Sequence, residues 1–483
     1  MRTIAGKLIR PTDRLGLTVR QAVRRSHQLV ASGDIDAAAR VIARNRRNRR
    51  WRDETALLVA RARIALANND TATAEALQEE ALTRALRLPH PRMPLREFSN
   101  APVPILLSSW AALVGSPPAA THAPTNDRAR RQERGGPVLI VSDGNDFFLP
   151  SVREALSPTA ISELHLTSGR APTTREAYWK AAQRPLPPSA RRAAARASVV
   201  FAEWCGPHAA RLSWTLPPGP RLVIRLHAYE GWQAWPALVN WARVDCLVFA
   251  SAHMRAYVQA AMGGHLPANL SVRVVPIPIN TATLARPKPP NARWTVAMLG
   301  WAQTVKDPMF ALEGFRLAAE ADERWVLRLI GRTWDDVDLA SSCAPDLPSR
   351  VESLIRGPLR GRVIVEPFTE DVSSALQRVG IILSTSLRES SHVAVAEGMA
   401  SGAHAIVRRW PAFGPDAAAV HYPLARLVST PVQLAQALGR IGKLSDEAFF
   451  AHSTQFMARI ERDFDNRMSR VHLRSAVMGD ASL

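Results

Sequence analysis

Two glutamates, Glu389 and Glu397, have the spacing and the flanking sequence of a pair of cleft-facing carboxylates. The apolar run Val379–Leu383 before them is typical of a buried strand, and the residues after it predict a helix with Ser390 or Ser391 as its N-cap. At about 100° per residue, eight steps return a helical side chain to within roughly 80° of its starting direction. Both carboxylates are therefore expected to line one side of a cleft at the carboxyl end of the strand, where open α/β sheets bind ligands.

A second group of residues lies in a loop, residues 299–308, that follows another apolar run. This loop carries Gly300, Gln303 and Lys306, and we call it the lysine loop. A loop that follows a buried strand lies at the edge where open α/β sheets bind ligands.

The Glu-x7-Glu spacing at a strand-to-helix junction resembles the signature of retaining GT-B glycosyltransferases that use nucleotide-sugar donors. The resemblance implies that Lys306 contacts the donor diphosphate, together with Gly300 and Gln303 of its loop. It implies that Glu389 lies by the donor sugar and that Glu397 accepts hydrogen bonds from the ribose hydroxyls, a task that suits an ionised carboxylate. By the same resemblance the amides near Ser390 and Ser391 face phosphate, and neither a metal nor another cofactor is needed.

The lysine loop departs from the family pattern, Gly-Arg-x-x-x-x-Lys-Gly, at two positions. The family's arginine falls on Trp301 and its last glycine is replaced by Asp307. Arg332, after a strand that ends at Ile330, could supply the missing charge. The change at Trp301 keeps open an alternative in which the fold is retained by a weak or inactive interaction protein. A sugar-nucleotide epimerase on the same fold is a further alternative.

The first half of the α/β region offers candidate residues for the acceptor side of a cleft. His227 and Arg225 lie at the end of a buried strand and are expected to face the cleft, and Glu203 follows the preceding strand. In the family a histidine at such a position lies by the reacting sugar and can donate a hydrogen bond to a hydroxyl. Gly144 and Asn145 lie in a loop where glycine permits close approach of a ligand. This loop lacks the G-x-G-x-x-G pattern of dinucleotide-binding proteins.

From residue 137 onward, short apolar runs alternate with helical segments, which is typical of parallel βαβ units. A proline-rich break near 277–292 divides them, so we predict two Rossmann-like domains, 137–290 on the acceptor side and 291–455 on the donor side. The predicted strands are 138–142, 163–166, 198–202, 221–226, 245–250, 272–275, 294–299, 325–330, 362–365, 380–384, 404–407 and 424–428. The helix that carries Glu397 is predicted to end at Gly402. By the resemblance, the helical segment 445–474 should return to the first domain, with a C-terminal helix and tail at 456–483.

An all-α region, residues 1–90, is predicted before these domains. Its segments 27–42 and 63–78 resemble each other at an offset of 36, each with the pattern helix, tight turn, helix. This is loosely similar to tetratricopeptide hairpins. Two hairpins fall below the ~3 repeats of a free-standing array, so we expect them to dock on another domain or a partner. Residues 91–136, rich in proline and then in arginine, are predicted to form a linker.

The chain carries a formal charge of +20, with 62 Lys and Arg residues against 42 Asp and Glu. An arginine run between Arg44 and Trp51 could contact phosphates of an anionic membrane surface or a lipid-linked acceptor, whereas charge alone makes nucleic acid a poor candidate. No transmembrane helix or secretory signal is expected, and three spaced cysteines match no zinc or disulfide framework. These features favour a cytoplasmic protein, peripheral at the inner face of the membrane, that glycosylates a polysaccharide or lipid-linked acceptor in cell-envelope synthesis.

Overall fold

The computed structural model describes residues 19–44, 51–68, 137–167, 174–262, 265–336, 345–410, 417–464 and 466–479, together with residues 70, 73, 74, 76, 77, 80, 81, 172 and 413. The predicted linker 91–136, Cys343 and the arginine run 45–50 lie outside these residues. Within them, Cys205 and Cys246 are buried free thiols. None of the helices described is both long and apolar enough to cross a membrane. The chain divides into two compact units, residues 1–88 with 170–179, and the remainder.

The N-terminal unit contains three helices, α1 (Val19–Ala31), α2 (Ile35–Arg44) and α3 (Trp51–Ala67). Gly33, with φ of 81°, turns the chain between α1 and α2, as the predicted tight turn requires. The Asp34 side chain then caps α2 by accepting from the amide of Ala37 at 3.1 Å. Asp70 accepts from the amide of Thr73 at the same distance, which repeats this cap at the predicted offset of 36. The likeness to a tetratricopeptide array stays a prediction.

The second unit contains two parallel six-stranded sheets, whose strands all correspond to predicted ones. The first sheet has the order β2-β1-β3-β4-β5-β6. Its strands and the helices between them are β1 (Val138–Ser142), α4 (Leu149–Leu156), β2 (Ile161–His165), α5 (Arg175–Ala182), α6 (Pro188–Arg196), β3 (Val199–Glu203), α7 (Pro207–Thr215), β4 (Arg221–Leu226), α8 (Trp235–Leu238), β5 (Cys246–Phe249), α9 (Ala252–Met262) and β6 (Ser271–Val274). The first five residues of α5, 175–179, are assigned to the N-terminal unit. Strands β1, β3 and β5 are buried along their whole length, as parallel strands covered on both faces should be.

The second sheet has the order β12-β11-β10-β7-β8-β9. Its elements, after α10 (Thr281–Leu284), are β7 (Thr295–Leu299), α11 (Pro308–Ala321), β8 (Val326–Ile330), α12 (Leu347–Arg356), β9 (Val363–Glu366), α13 (Val372–Gln377), β10 (Ile381–Ser384), α14 (Val393–Ala400), β11 (His404–Arg408), α15 (Ala417–His421), β12 (Arg426–Val428) and α16 (Pro431–Gly442). In both sheets the loops after the carboxyl ends of the central strands carry the candidate residues. This is the edge at which such sheets bind ligands.

Two C-terminal helices, α17 (Asp446–Phe464) and α18 (Asn466–Met478), divide between the two sheets. Phe456, Ile460 and Phe464 of α17 belong to a core beneath the second sheet. Leu473 and Val477 of α18 lie in the core beneath the first sheet. Packing against the first sheet therefore begins at α18 and not at residue 456. The apolar face of α17 is already buried in the second domain.

Helix α14 and strand β10 pack against each other at Gly398, which fixes the position of neighbouring Glu397. A Cβ atom added at Gly398 would lie 2.4 Å from Cβ of Ile382, a buried strand residue that cannot move aside easily. We therefore expect Gly398→Ala to reduce the free energy of unfolding by about 1–3 kcal/mol, the usual cost of overpacking.

Urea denaturation of purified variants measures this effect. The matched control is Gly439→Ala in α16, where an added Cβ meets no atom within 4 Å. This change should be neutral or stabilise by up to about 1 kcal/mol, because alanine restricts the unfolded chain. Equal stability of the two variants would contradict the close packing of α14 on β10.

Candidate functional site

The lysine loop and the loop after β10 are tied together at the carboxyl edge of the second sheet. The amide of Leu387 donates to the carbonyl of Val305 at 2.8 Å, and the Thr385 hydroxyl donates to the carbonyl of Lys306 at 2.7 Å. These bonds bring two predicted site residues into contact, since Lys306 Nζ donates to Glu389 Oε1 at 2.5 Å. Gly300, with φ of 67°, adopts a left-handed conformation at the start of the lysine loop.

The Lys306–Glu389 pair lies in a partly buried position, with side chains 18% and 14% exposed. Burial is the largest single influence and would raise the pKa of Glu389. The charges of Lys306 and His392 and the hydrogen bonds from Lys306 and Ser386 together outweigh it and lower that pKa to about 2. Glu389 is therefore ionised at neutral pH and oriented by Lys306. Both charges are positioned before any ligand arrives.

Helix α14 begins at Val393, so the prediction that Ser390 or Ser391 is its N-cap was wrong. His392 occupies the N-cap position with φ of 49° and forms no side-chain cap. Neither serine caps the helix. The Ser391 hydroxyl is 3.2 Å from Nε2 of His421, and the Ser390 hydroxyl is buried without a partner among the described residues. His392 uses Nδ1 to contact the Ser384 hydroxyl at 2.6 Å. The helix ends as predicted, with Gly402 in a left-handed conformation directly after it.

Glu397 lies in α14, one turn and more beyond its N-terminus, and is partly buried. Its carboxylate makes no hydrogen bond or ion pair with any residue that the structure describes. Burial raises its pKa to about 7. Glu389 is paired with Lys306, whereas the carboxylate oxygens of Glu397 accept no hydrogen bond from a described residue.

Two positions near this edge, Trp301 and Arg332, bear on the cations that a ligand could meet. Trp301, at the family's arginine position, is 1% exposed and packs edge to face on Trp334 at 4.7 Å between ring centroids. Arg332 is exposed, contacts Asp336 at 3.2 Å and lies over the ring of Phe368. Arg332 therefore has described partners of its own, and its compensation for the missing charge stays a prediction. Gln303 begins the short turn that carries Lys306, through a bond from the Lys306 amide to its carbonyl at 3.1 Å.

A buried arginine that sequence reasoning missed supports the lysine loop from below. Arg408, the last residue of β11, donates from Nη1 to Asp307 Oδ2 at 2.7 Å and lies over the ring of Phe310. Asp307 has φ of 45°, a left-handed conformation that glycine adopts more easily. The departure from the family's glycine is therefore coupled to a charge partner 101 residues later, which no local pattern could reveal.

The acceptor-side candidates of the first domain form a buried charged cluster. Arg225 donates to both carboxylate oxygens of Glu203, with the shortest contact, from Nη2 to Oε1, at 2.8 Å. His227 Nε2 contacts the same Oε1 at 2.7 Å. The expected cleft-facing orientation of Arg225 is therefore not observed, since its side chain is 1% exposed and paired with Glu203. The acceptor roles given to these residues stay predictions.

Glu230, a further residue not predicted for the site, completes this cluster. Its Oε1 accepts from the amides of Cys205 at 2.9 Å and His227 at 3.1 Å, while its Oε2 is buried with no partner among the described residues. Burial is the main reason that its pKa is raised to about 8. The sequence shows that Glu230 lies three residues after His227. This spacing alone does not predict that the Glu230 carboxylate accepts from the His227 amide.

Aromatic rings surround His227 near the mouth of the first sheet. The ring of His227 stacks on Phe148 at 4.8 Å and contacts Trp204 at 4.1 Å. Trp204 has φ of 72°, and its indole donates to the carbonyl of Asn145 at 2.8 Å. Gly144, with φ of 105°, has open space where a Cβ would be, as the prediction of close ligand approach requires.

The two sheets of this unit are linked by side chains beside Glu389. His253, in α9 of the first domain, lies with Nε2 2.8 Å from the carbonyl of Glu389, and its ring contacts Phe413 at 4.8 Å. Burial lowers the pKa of His253 to about 4, so its neutral ring donates this bond at neutral pH. Arg388 lies over the ring of Trp232, another first-domain residue, at 5.0 Å. These contacts place the Glu389 loop where the two α/β domains meet.

Comparison with known proteins identifies this fold. No protein-family model matches the chain, and no curated protein sequence matches it. Among solved structures, HepE from Anabaena with UDP and glucose matches 71% of this chain and 100% of its own, at 12% identity and a TM-score of 0.54. Sucrose-phosphate synthase from Thermosynechococcus elongatus matches 70% and 97%, at 15% identity and 0.53. A trehalose-6-phosphate structure from E. coli, bound with UDP-2-fluoro glucose, matches 71% and 99%, at 12% identity and 0.51.

These likenesses, at such low identity, establish the fold alone. They confirm the predicted pair of parallel-sheet α/β domains, which is the GT-B arrangement, and they cover 71% and 70% of the chain. They do not test the roles of individual site residues.

Proposed function

We propose that this protein is a metal-independent glycosyltransferase that moves a sugar from a nucleoside diphosphate-sugar to an acceptor hydroxyl with retention of configuration. The observation that carries the proposal is the Lys306–Glu389 contact at the carboxyl edge of the second sheet, followed in the chain by the helix that carries Glu397. The three residues offer a cation, an oriented carboxylate and a carboxylate without a described partner. This combination suits a diphosphate, a sugar and a ribose diol, in that order.

The donor-side residues divide the work of binding and leaving-group stabilisation. Lys306 would stabilise charge on the diphosphate as the bond from its oxygen to the anomeric carbon breaks. Glu389, held by Lys306, would accept hydrogen bonds from donor sugar hydroxyls. The acceptor oxygen forms the new bond on the same face, and its proton passes to the departing diphosphate. This route needs no protein nucleophile, which fits a site in which the carboxylate of Glu389 is already paired with Lys306.

The comparisons supply the first donor to test. HepE is seen with UDP, with glucose and with UDP-glucose, and the E. coli structure holds UDP-2-fluoro glucose. We infer that a UDP-sugar is a suitable first probe for this chain. For the acceptor we propose a polysaccharide or lipid-linked glycan, handled at the cytoplasmic face of a membrane, with the N-terminal helices and basic segment as the contact to that surface or to a protein partner.

A second candidate function is nucleotide-sugar binding without efficient turnover. It is favoured by Trp301, since a core tryptophan at the family's arginine position leaves the donor with one cation fewer. Release of UDP from a bound UDP-sugar, with and without candidate acceptors, separates the two candidates. A turnover rate no higher than that of Lys306→Ala would favour the binding protein.

Binding of UDP-glucose should strengthen as the pH rises through about 7, because the ribose hydroxyls donate to the ionised form of Glu397. With a pKa of about 7, the ionised fraction falls from about nine-tenths near pH 8 to about one-tenth near pH 6, so Kd should rise about tenfold over that interval. UDP-glucose suits this test because its diphosphate, esterified at both ends, keeps a constant charge over the range. Isothermal titration calorimetry measures the change.

Glu397→Gln is the matched variant, because it keeps the shape of the side chain and removes the titrating group. It should bind more weakly and lose most of the pH dependence. A thermal-shift screen with UDP-, GDP-, ADP- and dTDP-sugars, run beforehand, selects the base. If no nucleotide sugar stabilises the wild type, or if Glu397→Gln and Lys306→Ala bind as well as the wild type, the proposed donor site is wrong.

A further inference from the structure

The orientation of His227 is fixed by two aromatic rings packed against it and by Glu203 at Nε2. Phe148 stacks nearly parallel to it, with an interplanar angle of 10°, and Trp204 covers it at 4.1 Å. Its backbone amide donates to Glu230. The ring is 3% exposed, so rotation about its side-chain bonds would meet neighbouring atoms. The chemistry of His227 therefore depends on which ring nitrogen carries the proton in this one orientation.

Glu203 determines the location of that proton. Its carboxylate accepts from Nε and Nη2 of Arg225, and this charge pairing favours the ionised form. An ionised carboxylate can only accept hydrogen bonds. Since His227 Nε2 lies 2.7 Å from Oε1 of Glu203, Nε2 must be the protonated nitrogen.

The remaining nitrogen, Nδ1, makes no hydrogen bond to a residue that the structure describes. Burial lowers the pKa of His227 and opposes the effect of Glu203, which raises it, so the ring is neutral at neutral pH. A neutral ring with a proton on Nε2 has a lone pair on Nδ1. His227 can therefore accept a hydrogen bond from a hydroxyl but cannot donate one through Nδ1, which reverses the donor role expected from the sequence.

We propose that Glu203 is a positioning residue that holds His227 in the Nε2–H tautomer, so that Nδ1 accepts a hydrogen bond from a substrate hydroxyl in the cleft. The substrate part of this inference rests on the proposed function, whereas the tautomer does not. A donated hydrogen bond increases electron density on the hydroxyl oxygen and fixes its orientation. A hydroxyl-bearing ligand is thus selected over one in which the group is replaced by an acceptor such as fluorine.

The tautomer can be measured directly by ¹⁵N NMR of the full chain with ¹⁵N-labelled histidine. The His227 signals are assigned by their loss in His227→Asn. The wild type should show a protonated Nε2 and an unprotonated Nδ1 near neutral pH. A ring protonated at Nδ1, or a doubly protonated ring, would overturn the proposal whether or not the protein proves to be a glycosyltransferase.

Glu203→Gln tests whether Glu203 causes this state. With the amide oxygen at the place of Oε2, where it accepts from Nε of Arg225, the NH2 group takes the place of Oε1 beside Nε2 of His227 and favours the proton on Nδ1. We expect the tautomer to invert and kcat of sugar transfer to fall at least tenfold, while Kd for UDP-glucose changes less than about twofold. The control is Glu366→Gln, which changes the carboxylate of a more exposed pair with Arg328 in the other domain and should leave His227 unchanged.

Each outcome bears on a different part of the inference. An unchanged tautomer in folded Glu203→Gln would show that Glu203 does not set it, and the positioning role would fail. An inverted tautomer with unchanged kcat would overturn the role of Nδ1 in substrate binding. If Glu203→Gln does not fold, Phe148→Leu, which removes the stacking ring and leaves Glu203 in place, should retain the Nε2–H tautomer. Loss of that tautomer in Phe148→Leu would show that stacking of Phe148, and not Glu203, determines the tautomer, and would contradict the proposal.

Discussion

Lys306→Met is expected to lower kcat/KM of sugar transfer by about 10²- to 10³-fold, the usual effect of removing one preorganised group that stabilises transition-state charge. Lys306 carries a large part of this stabilisation because Trp301 replaces the second cation of the family pattern and Arg332 contacts other residues. Initial rates of UDP release with a UDP-sugar donor measure the effect. Lys443→Met, an exposed lysine in the same domain, is the control and should behave as the wild type.

The same substitution should change the protonation of Glu389. Lys306 is the largest influence that opposes burial of this carboxyl, so without it the pKa of Glu389 rises from about 2 towards or above its ordinary value. The pH profile of Lys306→Met should therefore acquire an acidic limb that the wild type lacks at the same pH. Glu389→Gln in the Lys306→Met background should remove that limb. Activity of Lys306→Met within about threefold of the wild type would contradict the role of Lys306 in leaving-group stabilisation.

The fold could be predicted from the sequence because the pattern that indicates each strand lies within a few consecutive residues. Each buried strand of a parallel sheet is a short apolar run between helical segments, and every predicted strand of both sheets is present. The link between the strand at Ile381–Ser384 and the helix that carries Glu397 was predicted for the same reason. Periodicity and chain order are sufficient to predict which loops lie near each other, because the carboxyl ends of parallel strands lie at one edge of a sheet.

The parts of the site that were missed depend on pairings between distant residues. Arg225 looked available for a ligand because it lies near the end of a strand, but Glu203 on the neighbouring strand pairs with its guanidinium. The N-cap of α14 was misassigned because the Tyr422 hydroxyl and His421 bind the Ser391 carbonyl and hydroxyl and hold this segment in another conformation. Such partners come from other elements, so local preference for serine at helix starts was outweighed by tertiary contacts.

Trp301 is a departure from the family pattern whose structural role was not evident from the sequence. Its place in the lysine loop suggested a lost phosphate ligand, and the structure shows a side chain packed in the hydrophobic core beside Phe310 and Leu329. A tryptophan at this position therefore contributes to the packing beneath the loop that carries Lys306. The sequence could identify the departure from the pattern, but only the packing shows what replaced it.

Arg408→Met is expected to have the largest effect on stability, a loss of about 3–5 kcal/mol in the free energy of unfolding, because it breaks a buried ion pair by removing one partner. The side chains of Arg408 and Asp307 are 5% and 7% exposed, so water cannot replace the lost charge easily. Asp307 also holds the left-handed turn next to Lys306. Destabilisation should therefore be accompanied by weaker UDP-glucose binding, since the lysine loop loses its support.

Urea denaturation of matched variants tests this argument. Arg153→Met removes an ion pair with Glu163 whose side chains are 48% and 27% exposed, and it should cost no more than about 1 kcal/mol. Adding Asp307→Asn to Arg408→Met should recover part of the stability, because the buried negative charge is removed with its partner. If Arg408→Met costs no more than Arg153→Met, the buried pair does not stabilise the lysine loop. If instead the double variant is no better than Arg408→Met, the loss comes from packing of Arg408 on Phe310 rather than from the uncompensated carboxylate.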